Sequence, residues 1–134
     1  MDQEKIKNSL FVLRMGVTIV MLIWTVDKFI NPAHAAAVFE KFYFWPGLGT
    51  TTAYIIGAIQ AVIVIAFAGA FMKKYSYTAV LVLHGISTLS SYAKYFDPFT
   101  GPNLLFFAAW PMLAACFVLW YLRDLDTKFS FQKN

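Results

Sequence analysis

Four stretches of about 20 mostly apolar residues follow one another in this chain, and each is long enough to cross a hydrocarbon layer as a helix. They run from about Ser9 to Phe29, Thr51 to Met72, Tyr75 to Phe96 and Asn103 to Leu122. In lipid, only a helix or a closed barrel satisfies its own backbone. Runs of this length, without strand-like alternation, point to helices. Composition supports the same solvent. Of 134 residues, 60% are hydrophobic and only 13% are charged, against about 25% charged in an ordinary soluble domain. A soluble chain this short could not bury that much apolar surface. The expected fold is therefore all-α, a single transmembrane domain over residues 1–134 built as a four-helix bundle.

The links between the spans differ in kind. A tight turn is expected around Lys73 and Lys74, and a proline-bounded loop over Asp97 to Asn103. The longer first link opens with Asn31-Pro32, a helix cap followed by a favourable first helical residue. Val38, Phe39, Phe42 and Trp45 then recur at helical spacing before Pro46-Gly47. This reads as a short interfacial helix, about 32–45, with its aromatic face toward lipid. Ala33-His34-Ala35 resembles a signal-peptide cleavage site, but Asp27 and Lys28 sit poorly in such a segment.

Orientation follows from the cationic residues. With the N-terminus inside, Lys5, Lys7, Arg14, Lys73, Lys74, Arg123, Lys128 and Lys133 fall inside, against Lys28, Lys41 and Lys94 outside. That imbalance predicts both termini in the cytoplasm. Trp120 and Tyr121 then join the inner aromatic belt, and Tyr43 and Trp45 the outer one. Gly57, Ala61, Ala68 and Gly69 on the second span, and Ala108, Ala109, Ala114 and Ala115 on the fourth, are candidate close-packing positions. Pro111 is expected to bend the fourth span.

Polar residues within the spans are the candidates for function, since they are costly in hydrocarbon. Arg14, Val17, Met21, Trp24 and Lys28 form one stripe on the first span, and Tyr77, Val80, His84, Ser87, Ser91 and Lys94 one on the third. At about 1.5 Å per residue, Gln60 lies roughly 18 Å and His84 roughly 12 Å from the inner ends of their helices. Asp27, Lys28, Lys94 and Asp97 collect near the outer surface, where opposed charges can neutralise one another. The pattern suggests a lined cavity, with Arg14, Trp24, Lys28, Gln60, His84 and Lys94 as candidate ligands for a quinone or lipid. Arg14, Gln60 and His84 would donate hydrogen bonds, and Trp24 would stack on a ring. Each also has a structural reading: lysines snorkelling to water, and polar side chains acting as interhelical glue. No catalytic constellation, phosphate loop or metal site is recognisable. The lone Cys116 supports no internal disulfide.

Leu13-Arg14-Met15-Gly16 through Trp24, followed by Asp27-Lys28-Phe29-Ile30-Asn31-Pro32, resembles the opening of DoxX-like membrane proteins. Gly57 to Gln60, running on to Gly69 and Lys73-Lys74, is similar to that family's second helix, which often carries a glutamate where this chain has Gln60. The resemblance implies four spans with both ends inside. The family is named for a subunit of a thiosulfate:quinone oxidoreductase, and others of its members look like accessory proteins beside redox partners. Gln60 removes a buried acid and with it a proton-transfer role. The expected function is that of a non-catalytic subunit or accessory protein in a larger bacterial inner-membrane complex. A quinone- or lipid-binding redox protein is the alternative, and a small transporter the third reading. Membrane lipids and other membrane subunits, or further copies of the chain, are the expected partners, with no nucleic acid.

Overall fold

A computed structural model describes residues 2–43, 47 and 49–131, with the side chains of Phe42 and Tyr43 left out. Its described residues form helices and no strand. The elements are α1 (Gln3–Ile30), α2 (Pro32–Tyr43), α3 (Thr50–Ala68), α4 (Lys73–Ser90), α5 (Tyr92–Tyr95) and α6 (Ala109–Tyr121), with 3-10 turns at Asn103–Ala108 and Arg123–Leu125. Three segments are long and apolar enough to cross a membrane: Gln3–Ile30, Thr50–Ala68 and Asn103–Tyr121. α4 is 18 residues long but is not one of them. Lys73, Lys74, Ser76, Thr78, His84, Ser87, Thr88 and Ser90 dilute its apolar content.

α1 begins well before the expected Ser9. Asp2 caps it by accepting from the Glu4 amide at 2.9 Å, and Glu4 lies in the favourable acidic first turn. Its 28 residues span roughly 42 Å, more than the ~30 Å of hydrocarbon. α3 stops at Ala68, four residues short of the expected end, because Ala70 and Met72 turn into the left-handed region at φ 50° and 49°. The tight turn therefore occupies residues 69–72, and Lys73 opens α4. Pro111 lies three residues into α6, just after the 3-10 turn, so it marks the entry of the helix and not a bend within it.

α1 packs on α3, α3 on α4, α4 on α6 and α6 on α1, a closed cycle of helices. Its apolar core is Leu10, Val17 and Met21 of α1, Val64 and Phe67 of α3, Ala70, Tyr77 and Val80, and Cys116 and Leu119 of α6. The outward faces carry large exposed apolar side chains, among them Ile19, Ile23, Val62, Ile65, Leu89 and Phe117. Gly57 is a true close contact: a Cβ there would meet Phe29 at 2.9 Å and the Lys28 Cβ at 3.3 Å. Ala108 and Ala114, in contrast, face outward, and Cys116 and Leu119 make the buried seam of α6.

α2 is helical as expected, and it seats Ala35, Ala36 and Phe39 against Ala53 and Ile56 of α3. Val38 is half-buried. The Phe42 and Tyr43 side chains and all of Trp45 lie outside the described residues. At the same end, the loop before α6 is tied by Thr100 Oγ1 donating to Asp97 Oδ1 at 2.8 Å and Asn103 Nδ2 donating to the Asp97 carbonyl at 2.8 Å.

Candidate functional site

The most concentrated polar chemistry lies where the first half of α1 meets residues 126–131. Arg14 is 0% exposed, and its Nη1 donates to Asp126 Oδ1 at 2.6 Å. The second carboxylate oxygen of Asp126 accepts from the Tyr77 hydroxyl at 2.5 Å. Lys73 Nζ donates to the Asp126 carbonyl at 3.0 Å. Arg14 Nη2 donates to the carbonyls of Lys128 at 2.6 Å and Phe129 at 3.2 Å. Three elements thus converge on one acidic residue: α1 through Arg14, α4 through Lys73 and Tyr77, and the segment after the last 3-10 turn through Asp126 itself.

Local sequence explains each placement. Leu10, Arg14, Val17, Met21 and Thr25 are the buried face of α1, spaced 4, 3, 4, 4. Arg14 occupies a core position at the end where residues 126–131 cross α1. Lys73 and Tyr77 are one helical turn apart on α4, so both face the same neighbour. Asp126 follows a short 3-10 turn that brings the chain back beneath the helices. The following residues form a strap. Lys128 Nζ donates to Asn8 Oδ1, Ser130 Oγ donates to the Ala70 carbonyl at 3.0 Å, and the Phe131 amide donates to the Gly69 carbonyl at 2.8 Å.

Burying charge this deeply is costly unless the charges are paired and further hydrogen-bonded. Here the Asp126 carboxylate is satisfied by Arg14 and Tyr77, and the guanidinium by Asp126 and two carbonyls. Arg14 Nε is the exception: among the described residues it is buried with no partner. Lys73, expected as an inside surface charge, is only 2% exposed. It is sealed because the strap crosses over the start of α4.

A second polar focus lies deeper. His84 is buried, its Nε2 lies 3.0 Å from the Ala109 carbonyl, and its ring stacks on Trp24 at 5.9 Å with an interplanar angle of 29°. With Nε2 as the donor, Nδ1 is an acceptor, and among the described residues it is buried without a partner. Thr88 Oγ1 donates to the His84 carbonyl at 2.7 Å, and Tyr95 Oη donates to the Thr88 carbonyl at 2.8 Å.

The six candidates from the sequence do not converge. Trp24 and His84 touch. Arg14 is roughly 15 Å along α1 from Trp24 and is engaged by the strap. Gln60 is half-buried on α3 and makes no side-chain hydrogen bond among the described residues. Lys28 is half-buried, with Nζ 3.5 Å from the Trp24 carbonyl. Lys94 lies over the Phe106 ring at 5.6 Å and feels the charge of Lys41. The outer charges act on one another, Asp27 on Lys28 and Asp97 on Lys94, while the close contacts of the two acids go elsewhere: Asp27 pairs with His34 Nδ1 at 2.6 Å, and the Asp97 carboxylate accepts from Thr100.

The polar stripes also shift. At about 100° per residue, Trp24 lies roughly 80° off Arg14 and Thr25 only about 20°. Thr25 is accordingly the buried residue, while Trp24 is 41% exposed. The same arithmetic moves the α4 stripe from Ser87 to Thr88, which is buried. The residue that sequence reasoning missed is Asp126. Its only sequence signal is an isolated acid after the last apolar run, the single Asp or Glu between Leu125 and Asn134. Comparison of the chain with family models, curated proteins and solved structures gave no match.

Proposed function

We propose that this chain is a multi-pass membrane protein of four spans with both termini in the cytoplasm, acting as a non-catalytic subunit or accessory protein of a larger inner-membrane complex. The observation that carries the reading is the division of labour between interior and surface. Inside, the Arg14–Asp126–Tyr77–Lys73 cluster is engaged in holding the fold together. Outside, α1, α3 and α6 present broad apolar and aromatic faces. α4 counts as the fourth span in this reading because it closes the helix cycle and its polar residues His84 and Thr88 face inward. The positive-inside imbalance and the DoxX-like features of α1 and α3 support the topology and the accessory role. Extraction in mild detergent followed by native mass spectrometry is the test. A co-purifying integral membrane subunit is expected, and a partner-free monomer overturns the proposal.

One observation favours a second reading, a lipid- or quinone-binding protein. Among the described residues His84 Nδ1 is an unsatisfied acceptor, beside a Trp24 that is partly exposed. A hydroxyl-bearing ring compound entering from the bilayer would meet both groups. Solvent extraction of the purified protein and mass spectrometry decide it: a stoichiometric quinol or lipid supports the reading, and an empty extract that also shows no affinity for added quinol removes it.

A further inference from the structure

α1 is buried on one side only. Its core face is Leu10, Arg14, Val17, Met21 and Thr25. Opposite them run Ser9, Val12, Gly16, Ile19 and Ile23, carried on by Val26 and Ile30, and every one of these is exposed. The steps are 3, 4, 3, 4, 3 and 4, the seven-residue repeat of a seam between two helices. From Ser9 to Ile30 the stripe covers roughly 32 Å, the whole thickness of a hydrocarbon layer of about 30 Å.

Lipid asks only that such a face be apolar, and this one is more selective. Its large side chains are all β-branched, so they are stiff before contact and lose little freedom on packing. α4 and α6 instead turn Tyr75, Leu89, Trp110 and Phe117 outward. α3 has a shorter run of similar kind, Ile55, Ala58, Val62 and Ile65, without a glycine. Gly16 is the second observation. A Cβ there would meet nothing within 4 Å, so packing inside this chain does not require a glycine that a helix interior disfavours. Between helices in lipid, glycine lets two backbones approach. Gly16 lies one heptad from Ser9, the other small residue of the stripe. A shallow apolar depression lined by Asn8, Ser9, Val12 and Leu13 lies on the same side of α1.

The partner that fits is a second copy. Copies inserted in one orientation lie parallel, so each position of the stripe meets its own equivalent at the same depth. The two narrow points then coincide, which an unrelated helix would match only with small residues at the same two depths. Asp2 and Lys5, both exposed, continue the register past the apolar part. In a parallel pair their charges form layers of opposite sign one turn apart. No other charged residue falls on the stripe.

We propose that the outward face of α1 is the contact of a parallel two-fold dimer, with Val12, Gly16, Ile19 and Ile23 at its centre. The proposal rests on the placement of α1 across the bilayer and not on the accessory role.

The test is disulfide trapping of the full chain in membranes, with copper-phenanthroline as oxidant. Val12→Cys and Ile19→Cys are expected to form homodisulfides rapidly. Val62→Cys on α3 and Val82→Cys on α4 are not, although both positions are exposed. The native chain, whose Cys116 is buried, is the blank. Gly16→Leu is expected to reduce trapping at position 12 and to weaken dimerisation, read by energy transfer in phosphatidylcholine vesicles, by about tenfold or more. The open space around Gly16 leaves the single chain room for that side chain. Ile19→Ala combined with Ile23→Ala, which trims only exposed groups, repeats the measurement. Equal trapping at position 82, trapping at position 62 alone, or a product joined to a different protein overturns the proposal. A homodimer free of any other subunit supports it and counts against the accessory role. Release of the chain by alkaline carbonate overturns the bilayer placement and the dimer together. A monomer that stays in the membrane, with lipid alone against α1, overturns the dimer only.

Discussion

A buried arginine is tolerable only with a partner, and Arg14 has one at 2.6 Å in Asp126. Removing either member leaves the other charged and desolvated. Arg14→Ala or Asp126→Ala is therefore expected to cost about 3–5 kcal/mol, the range for breaking a buried pair from one side. The double replacement by leucine should cost clearly less than the two single changes added together, because neither member of the pair is left charged without the other. Equilibrium unfolding of the four proteins in one detergent checks this. The contrasting pair is His34 with Asp27, whose side chains are 55% and 34% exposed. His34→Ala should change stability by under about 1 kcal/mol, less still at high salt. The two cases show how far the sequence speaks at this scale. Arg14 was recognisable from its place in an apolar run, but its partner lies 112 residues away in a segment without periodicity. Nothing local marks such a pairing.

Among the elements, the long helices were legible because lipid-length apolar runs leave little choice, and α2 because Asn31, Pro32 and a helical spacing announce it. The ends were less so. Asp2 extends α1 backwards through polar residues, and two non-glycine left-handed residues cut α3 short. Neither is a hydropathy signal. The polar stripes depart from the structure where a 3-or-4 residue step had two solutions and Thr25 and Thr88 lay closer to the buried meridian, and where α4 ends at Ser90, which leaves Lys94 on the separate α5. Close approach of α1 and α3 at Gly57 was foreseeable and leads to a prediction. Gly57→Leu places a branched side chain where even a Cβ meets Phe29 at 2.9 Å. Overpacking of this kind costs about 1–3 kcal/mol, read as a lowered unfolding midpoint. Gly69 is different, since its Cβ would crowd only the Phe131 ring, at 2.6 Å from Cδ2 and 3.0 Å from Cε2, with the Ile65 carbonyl at an ordinary 3.7 Å. Gly69→Ala should push Phe131 aside with little loss of stability, and a spin label at position 131 should report the added motion.

For the whole molecule, the strap ties together the end where α1 begins and α3 turns into α4, while α2, α5 and the 97–103 loop occupy the other. Topology is directly measurable because the native Cys116 is buried at 2% exposure and should stay silent to water-soluble maleimides. Single cysteines introduced at Gln3 and Asp124 are expected to react only from the cytoplasmic side, and one at Thr100 only from the outside. Labelling of position 100 from the cytoplasm would reverse the proposed orientation. The six-residue candidate site of the sequence reading was the least legible feature at this scale. A stripe on each helix does not determine how the helices are rotated or offset against one another, and only Trp24 and His84 were brought together.

The 112-residue separation of Arg14 from Asp126 has a consequence for biogenesis. At ribosomal speeds of about 5–20 residues per second, α1 waits several seconds or more with its arginine unmatched before the neutralising acid is synthesised. During that interval the first helix is an incomplete substrate for integration. A chain interrupted anywhere before Asp126 retains that defect permanently. The acid that neutralises Arg14 therefore arrives only after every helix that packs around it has been made.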